Sequence, residues 1–541
     1  MASYAGDGLA ASGEPAAGEA LTPELARAVA AAEAAEPGSG PAVLRVIFLV
    51  RNAGRLVTLD AMETLAVEES RRVGRDCLQL ALDNQAFAES WLPGVTGADG
   101  VLRGGKADTS RSLLSLLGDV TVRRAAYLSG EAGVPALHPR DAVLNLPPGG
   151  FSWQFRKLAE AACRSGTYDA AAEVTGLVTG ARTGGRQLRE MMEDCAADAE
   201  EFAKARPAAA PPVLKHPDGT ETAAAGVASA DAKGVSMLKD SLREGTARKA
   251  ARKDGPAFRR LGTGEKSAAK RMAETCVVYD SLPPEGPPRT AAEIMRRPRS
   301  EPGRHPQAFN RVYACDIVSP CANVIEAGVF AEIQRRDPLL LRQWIGLVDG
   351  SNDQIRTFEK EAARLGIDMP LIIDFIHVLD YLWKAAWCFT PAGNIAAAEA
   401  QVTGWGEAIL LGQSADVAAA IGRRAAEDPP KPGSEHAKNI KKTLTYLQNK
   451  EPYLDCPTAL ANGWPISTGI IEGACRHLIG DRMGVTGSRW SLTGAQSVLW
   501  MRAIHASGDT DAYWGHHIHA EHQRNHLAKY QDPDAILALA A

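Results

Sequence analysis

The sequence predicts a mixed α/β protein with a large α-helical share, and three observations predict it. Short apolar runs at 226–231 (GVASAD), 274–279 (ETCVVY), 344–348 (WIGLV) and 370–373 (PLII) have strand length and strand composition. Helical periodicity at 323–335 and 352–365 separates the later runs, the alternation expected where helices connect strands of one sheet. Beyond 376 the helical pattern continues over 376–389, 395–412, 415–426 and 435–450, then around Glu472 and over 492–507. A chain of 541 residues has room for several domains.

Residues 1–40 are rich in Ala, Gly, Glu and Pro, and such a segment buries too little apolar surface to offset its ordering entropy, so it reads as disordered. Residues 41–150 read as a helical and irregular module: 56–88 has apolar residues at helical spacing, whereas 92–150 is Gly/Pro-rich and weakly patterned. In 151–205, Ser152 is placed to cap a helix reaching Arg164, and helices over 168–175 and 186–202 flank the connector GLVTGARTGG. A glycine turn followed by a helix carrying Arg186 and Arg189 suggests a DNA-binding helix-turn-helix, although any three-helix bundle with such a turn reads the same way. PAAAPP at 207–212 reads as a linker.

Residues 222–390 carry the strands. The run 226–231 and a second at 235–238, around a Lys233-Gly234 turn, give a hairpin; 274–279 supplies a third strand, and 282–308 reads as a loop. Three strands, helix, strand, helix, strand, helix is the ribonuclease-H-like order. Residues 391–462 then read as an all-α insertion, and 463–530 as the second part of the core, with the Glu472 helix.

Asp231 and Asp349 each end an apolar run, on the first and fourth strands, and ligands of open α/β sheets bind outside such strand ends. With Glu472 opening a later helix, three carboxylates could converge on a pair of divalent cations, the arrangement that clamps both oxygens of an in-line phosphoryl transfer. The plain alternative is that Asp349-Gly350 is an ordinary turn and Glu472 a solvated helix residue. Asp374 also ends a strand and competes with Asp349; Asp349 is preferred because the fourth strand adjoins the first.

Sixty Lys and Arg against 65 Asp and Glu, a net charge of −5, argue against a uniformly basic nucleic-acid binder, so DNA contacts must come from local patches. The basic stretch 239–272 is such a patch, and its place beside the first strand favours a DNA-backbone contact. Met1 is followed by no signal-peptide pattern, the apolar window 42–50 is too short to span a bilayer, and nine scattered cysteines include no CxxC pair. The expectation is a reduced, cytoplasmic protein.

Several long blocks are recognisable: VASADAKGVSM around Asp231, GEKSAAKRMAETCVVYD, WIGLVDGSNDQIR around Asp349, LIIDFIHVLDYLWKAAWCF, and GWPISTGIIEGACRHLIGDRMGVTGSRWSLTGAQSVLWMRA around Glu472. Over about residues 150–530 the chain resembles bacterial insertion-sequence DDE transposases of the Kra type, relatives of the Mutator-like group. The resemblance implies that Asp231, Asp349 and Glu472 are the catalytic, metal-holding triad, that two Mg²⁺ or Mn²⁺ ions serve it, and that the helical segment before Glu472 is the family's insertion. It implies double-stranded DNA as partner, both element ends and target, a homodimer or larger assembly on that DNA, and a nucleoid-associated location in a bacterial cytoplasm. Asp374 and His377 match the DxxH element of Mutator-like relatives and are accessory residues; His377 would touch substrate phosphate, hydrogen-bond Asp374, or sit as a satisfied core histidine.

Further DNA contacts are expected at Lys233, Arg489 and Trp490, the tryptophan either stacking on an unpaired base or lying in the core before a Ser491 cap. The run 514–526, with His516, His517, His519, His522 and His526, has metal-like spacings but no HExxH motif, and reads rather as a histidine-rich surface helix. One departure stands out: family members often carry N-terminal cysteine pairs, and the corresponding zinc-ribbon-like region here has none. A DNA-binding remnant or regulator that keeps the fold without transposing is therefore the alternative reading.

Overall fold

The computed structural model describes residues 22–53, 58–215, 219–251, 269–284, 286–296 and 304–538. The chain forms two compact units, one of residues 192–516 and one of the residues before 192 together with those from 517 onward. Among the described residues no helix is long and apolar enough to cross a membrane.

The unit of 192–516 is built on a mixed five-stranded sheet. Its strands are β1 (Ala225–Ser236), β2 (Lys270–Leu282), β3 (Gln307–Asp316), β4 (Trp344–Val348) and β5 (Leu371–Ile373), in the order β5-β4-β1-β2-β3. The first three are antiparallel neighbours, and β4 and β5 run parallel to β1. Every residue of β4 is buried, as expected for a central strand of a parallel region covered on both faces. Trp344 fills the space above Gly226, where a Cβ would come within 2.3 Å of the indole ring.

The sheet departs from the sequence expectation in two places. There is no hairpin turn at Lys233-Gly234: β1 runs on to Ser236, and Gly234 pairs with Met272 in an unbroken antiparallel ladder. The run expected as the third strand, 274–279, lies within β2, and the sheet's third strand is β3, which begins at Gln307, where the expected 282–308 loop ends. The backbone groups of 232–236 find their partners in β2 rather than in a local turn, so the long ladder outweighs the turn signal.

From β5 onward the chain is helical as expected, through Phe375–Phe389, Ile395–Leu410, Ser414–Glu427, Glu435–Lys450 and Cys456–Ala461. It then returns to the sheet as Gly469–Ala474, which continues through a π-helical turn, Cys475–Gly480, into Asp481–Met483 and packs on β1 and β2.

In the other unit, Pro23–Ala35 is a helix capped by the Thr22 hydroxyl, which overturns the expected disorder for that part of 1–40; residues 1–21 lie outside the described residues. An N-cap threonine, a proline at the first position and an Ala/Glu/Leu run are enough to form it. Leu59–Ala88 is a helix as its periodicity predicts. The weakly patterned 92–150 contains a long hairpin, Gly105–Ser115 with Gly118–Leu128, whose Leu113, Val120 and Val122 pack with Leu146 and against Leu78 and Leu82. Helices Trp153–Ser165 and Tyr168–Thr179, ended by Gly180 at φ +73°, precede Gly185–Cys195. The single helix expected over 186–202 is broken, resuming as Ala199–Ala205.

The histidine-rich helix Thr510–Asn525 is not simply a solvated face. His522 Nε2 donates to the Ala142 carbonyl and His526 Nε2, just beyond the helix, to that of Leu146, each at 2.7 Å, so both rings hold the segment that follows the hairpin.

Candidate metal centre

The site is built by strand register. β4 pairs with β1 as Leu347 opposite Ser229, so continuing two residues brings Asp349 opposite Asp231. β4 pairs with β5 as Val348 opposite Ile373, so the next residues are Asp349 and Asp374, and the Asp374 N–H donates to the Val348 carbonyl at 2.9 Å. Three aspartates thus stand in one row across the same edge of β1, β4 and β5, at steps of roughly 5 Å. Asp231 lies within β1 rather than at its end, because that strand runs on to Ser236.

The three are held differently. Asp231 accepts from the Ala232 N–H at 2.6 Å, and Asp349 accepts from the Ser351 N–H at 2.7 Å just before helix Asn352–Leu365. Both are partly exposed. Asp374 is fully buried at the start of Phe375–Phe389, where its Oδ1 accepts from the N–H groups of Ile376 and Thr468, each at 3.1 Å. Its Oδ2 lies 2.7 Å from His377 Nδ1. Burial alone would raise the Asp374 carboxyl; the hydrogen bonds from His377, Ile376 and Thr468 outweigh it and hold the group below its ordinary value.

Glu472 comes from the helix that packs back on the sheet. Its Oε1 accepts from the Thr468 hydroxyl at 3.2 Å and lies 3.7 Å from His377 Nδ1, with the side chain 42% exposed. Burial, then the Asp374 charge and a hydrogen bond to that carboxylate, raise the Glu472 carboxyl. The hydrogen bond to Asp374, and after it the surrounding acids, raise His377 to about 9. Asp374, His377 and Glu472 offer ligand atoms that all lie within 4.8 Å of one another. Asp231 and Asp349 flank that group without belonging to it.

Asp231 is tied to the Glu472 helix one turn on, where Cys475 hydrogen-bonds it; burial and the Asp231 charge both push that thiol up. On the other side, Glu435–Lys450 reaches the Asp349 loop. Tyr446 lies against Gly350, whose φ of +93° and whose Cβ position 2.9 Å from the phenol oxygen both require glycine. Lys450 is buried and donates to the Asn352 side chain; burial lowers its ammonium while Asp349 opposes that shift. Thr468, Tyr446, Lys450 and Cys475 carried no sequence signal of their own, because only tertiary packing brings them to the acids.

The expected DNA contacts fare unequally. Lys233 is exposed on β1, its ammonium over Gly480, and Arg489 is exposed nearby. Trp490 takes the core position, which overturns only the base-stacking option: it is 5% exposed, with the Arg482 guanidinium 4.6 Å from its ring and its backbone bonded to Ser236 and Leu238. Arg186 is exposed and pairs with Glu190 at 2.8 Å within its own helix, and Arg189 is exposed beside it. Of the basic stretch, residues 252–268 lie outside the described residues.

Oxygen ligands in a row, backed by an acid whose proton affinity is raised by its neighbours, fit a hard divalent cation. No protein-family model matches this chain, and no curated protein is a significant match to it.

Proposed function

We propose that this protein is a metal-dependent DNA transposase of the DDE type, with a ribonuclease-H-like core interrupted by the helical segment between β5 and Glu472. The observation that carries the reading is the register that sets Asp349 between Asp231 and Asp374 on adjacent strands, with Glu472 folded against the same edge. Asp231, Asp349 and Glu472 would hold two Mg²⁺ or Mn²⁺ ions, which when bound stabilise the attacking and leaving oxygens of an in-line phosphoryl transfer.

The chain's own groups divide the remaining work. Asp374, buried and saturated by its three donors, positions rather than ligates: it orients His377 and the Thr468 loop, and Thr468 in turn holds Glu472. A protonated His377 beside two carboxylates supplies a donor facing the place a substrate phosphate would occupy. Lys450 offsets the Asp349 charge from behind. Asp349 therefore keeps the second catalytic seat, because it stays accessible where Asp374 is sealed.

Double-stranded DNA, first the element's ends and then a target, is the proposed substrate, with helices 153–195 as the DNA-binding region. Bringing two ends together implies a dimer or larger assembly, working on nucleoid DNA in the cytoplasm. A supercoiled plasmid carrying the DNA that flanks the gene tests this. Excision with Mg²⁺ or Mn²⁺ by the wild type and none by Asp231→Ala is expected; equal activity, or none in either, would sink the proposal.

A further inference from the structure

The unit that contains the N-terminal hairpin holds a second polar site, far simpler than the acidic one. Thr109 pairs with Arg124 and Arg111 with Val122 across the hairpin, so Arg111 and Arg124 share the face that also carries the buried Leu113, Val120 and Val122. Both guanidinium groups are consequently drawn inward, with side chains 19% and 13% exposed. They meet the turn 147–150 (PPGG) and Lys529, and together these line a cavity of about 440 Å³.

Charge is not balanced there. Asp141 is the carboxylate of the cavity wall; it pairs closely with Arg124 and lies 3.8 Å from Arg111. Arg111 turns its other nitrogen to the carbonyls of Pro147 and Gly149, and Arg156 reaches the Pro148 carbonyl behind it. His526 is already spent on the Leu146 carbonyl. The Arg124 Nε atom and the Asp141 Oδ1 atom are buried with no hydrogen-bond partner, and the exposed Lys529 ammonium has no ion pair or hydrogen bond among the described residues. Three cations thus face one carboxylate, and each is lowered, first by burial and then by a cationic neighbour. Holding three cations against a single carboxylate is costly, and an oxyanion with several acceptor oxygens offsets that cost through charge-assisted bonds.

We propose that Arg111, Arg124 and Lys529 form a binding pocket for a phosphate group, with the arginine forks and the lysine as donors. The phosphate comes either from a nucleic-acid backbone or from a free phosphate ligand. The backbone source rests on the DNA-binding reading above, whereas the pocket does not.

The test uses the full chain in EDTA, so that the failure of metal-dependent cleavage has no bearing on it. Melting is followed in inorganic phosphate and in chloride at matched ionic strength, for the wild type and for Lys529→Gln, an exposed and unpaired position whose change should leave the fold intact. Phosphate is expected to raise the wild-type melting temperature and to lose at least half of that effect in Lys529→Gln. No phosphate effect, or an equal effect in both proteins, would overturn the pocket. Anisotropy of a labelled DNA duplex across a salt series then separates the sources. A salt slope reduced by about one in Lys529→Gln assigns the phosphate to the DNA backbone. An unchanged slope with a lost phosphate response assigns it to a free ligand.

Discussion

The Nδ1 atom of His377 lies 2.7 Å from Oδ2 of Asp374, and that contact is the leading cause of the imidazole's raised proton affinity. The hydrogen bond to Asp374 raises the imidazole from 6.5 to about 9. Because the folded value lies above the unfolded one, the imidazolium stabilises the fold fully below about 6.5, and this contribution is lost as pH rises through about 9. In the metal-free protein, the ring nitrogens of His377 should therefore titrate near 9 by NMR, and Asp374→Asn should bring the midpoint back toward 6.5. A wild-type midpoint near 6.5 would contradict the contact.

Glu472 shows the opposite strain. Burial and the neighbouring Asp374 raise its carboxyl, so ionising it costs the folded state stability as pH rises from 4.5 through the raised value. Glu472→Gln should melt above the wild type at neutral pH in EDTA. Mn²⁺ should raise the wild-type melting temperature, since a ligand at a hundred times its Kd adds about 2.7 kcal/mol, and it should do so much less in the variant. Scanning calorimetry reads both effects.

Away from the acidic edge, the sheet depends on Asp280. This fully buried carboxylate of β2 accepts from Arg342 at 2.6 Å and from Asn310 at 2.7 Å, and lies 3.3 Å from Arg336. Asp280→Ala leaves Arg342 without its carboxylate partner, while Arg336 keeps Glu332 at 2.6 Å, and loss of one partner of a buried pair costs about 3–5 kcal/mol. Urea denaturation should show a loss of that order in the transition of the 192–516 unit; a change under about 1 kcal/mol, the scale of an exposed pair, would contradict it.

The readable parts of this chain were those whose signals are local. The run 344–348 ends at Asp349 as expected because a strand buried on both faces must be uniformly apolar. The helices from Phe375 to Lys450 followed their periodicity closely. Where the sequence misled, pairing across long separations decided. The Lys233-Gly234 turn signal lost to a ladder with residues some forty positions away, and β3 was hidden beside a Pro/Arg-rich stretch. The N-terminal hairpin was illegible because its first strand is mostly polar, so the exposed/covered alternation of 106–113 is not mirrored by an apolar/polar alternation in the residues. In the site, Asp349 and Asp374 stood out at strand ends, and Asp231 at the end of an apolar run. Tyr446, Lys450 and Cys475 did not, since nothing in a helix's own sequence says which strand edge it will face.

In the proposed reaction Asp231, Asp349 and Glu472 form one divalent-cation centre, with Asp374 positioning it. Mn²⁺ stoichiometry, measured by electron paramagnetic resonance on the full chain, tests this most directly. Two ions are predicted for the wild type, and at least one should be lost in each of Asp231→Asn and Asp349→Asn. Wild-type stoichiometry in both variants would contradict the claim and assign cation binding to Asp374, His377 and Glu472 alone.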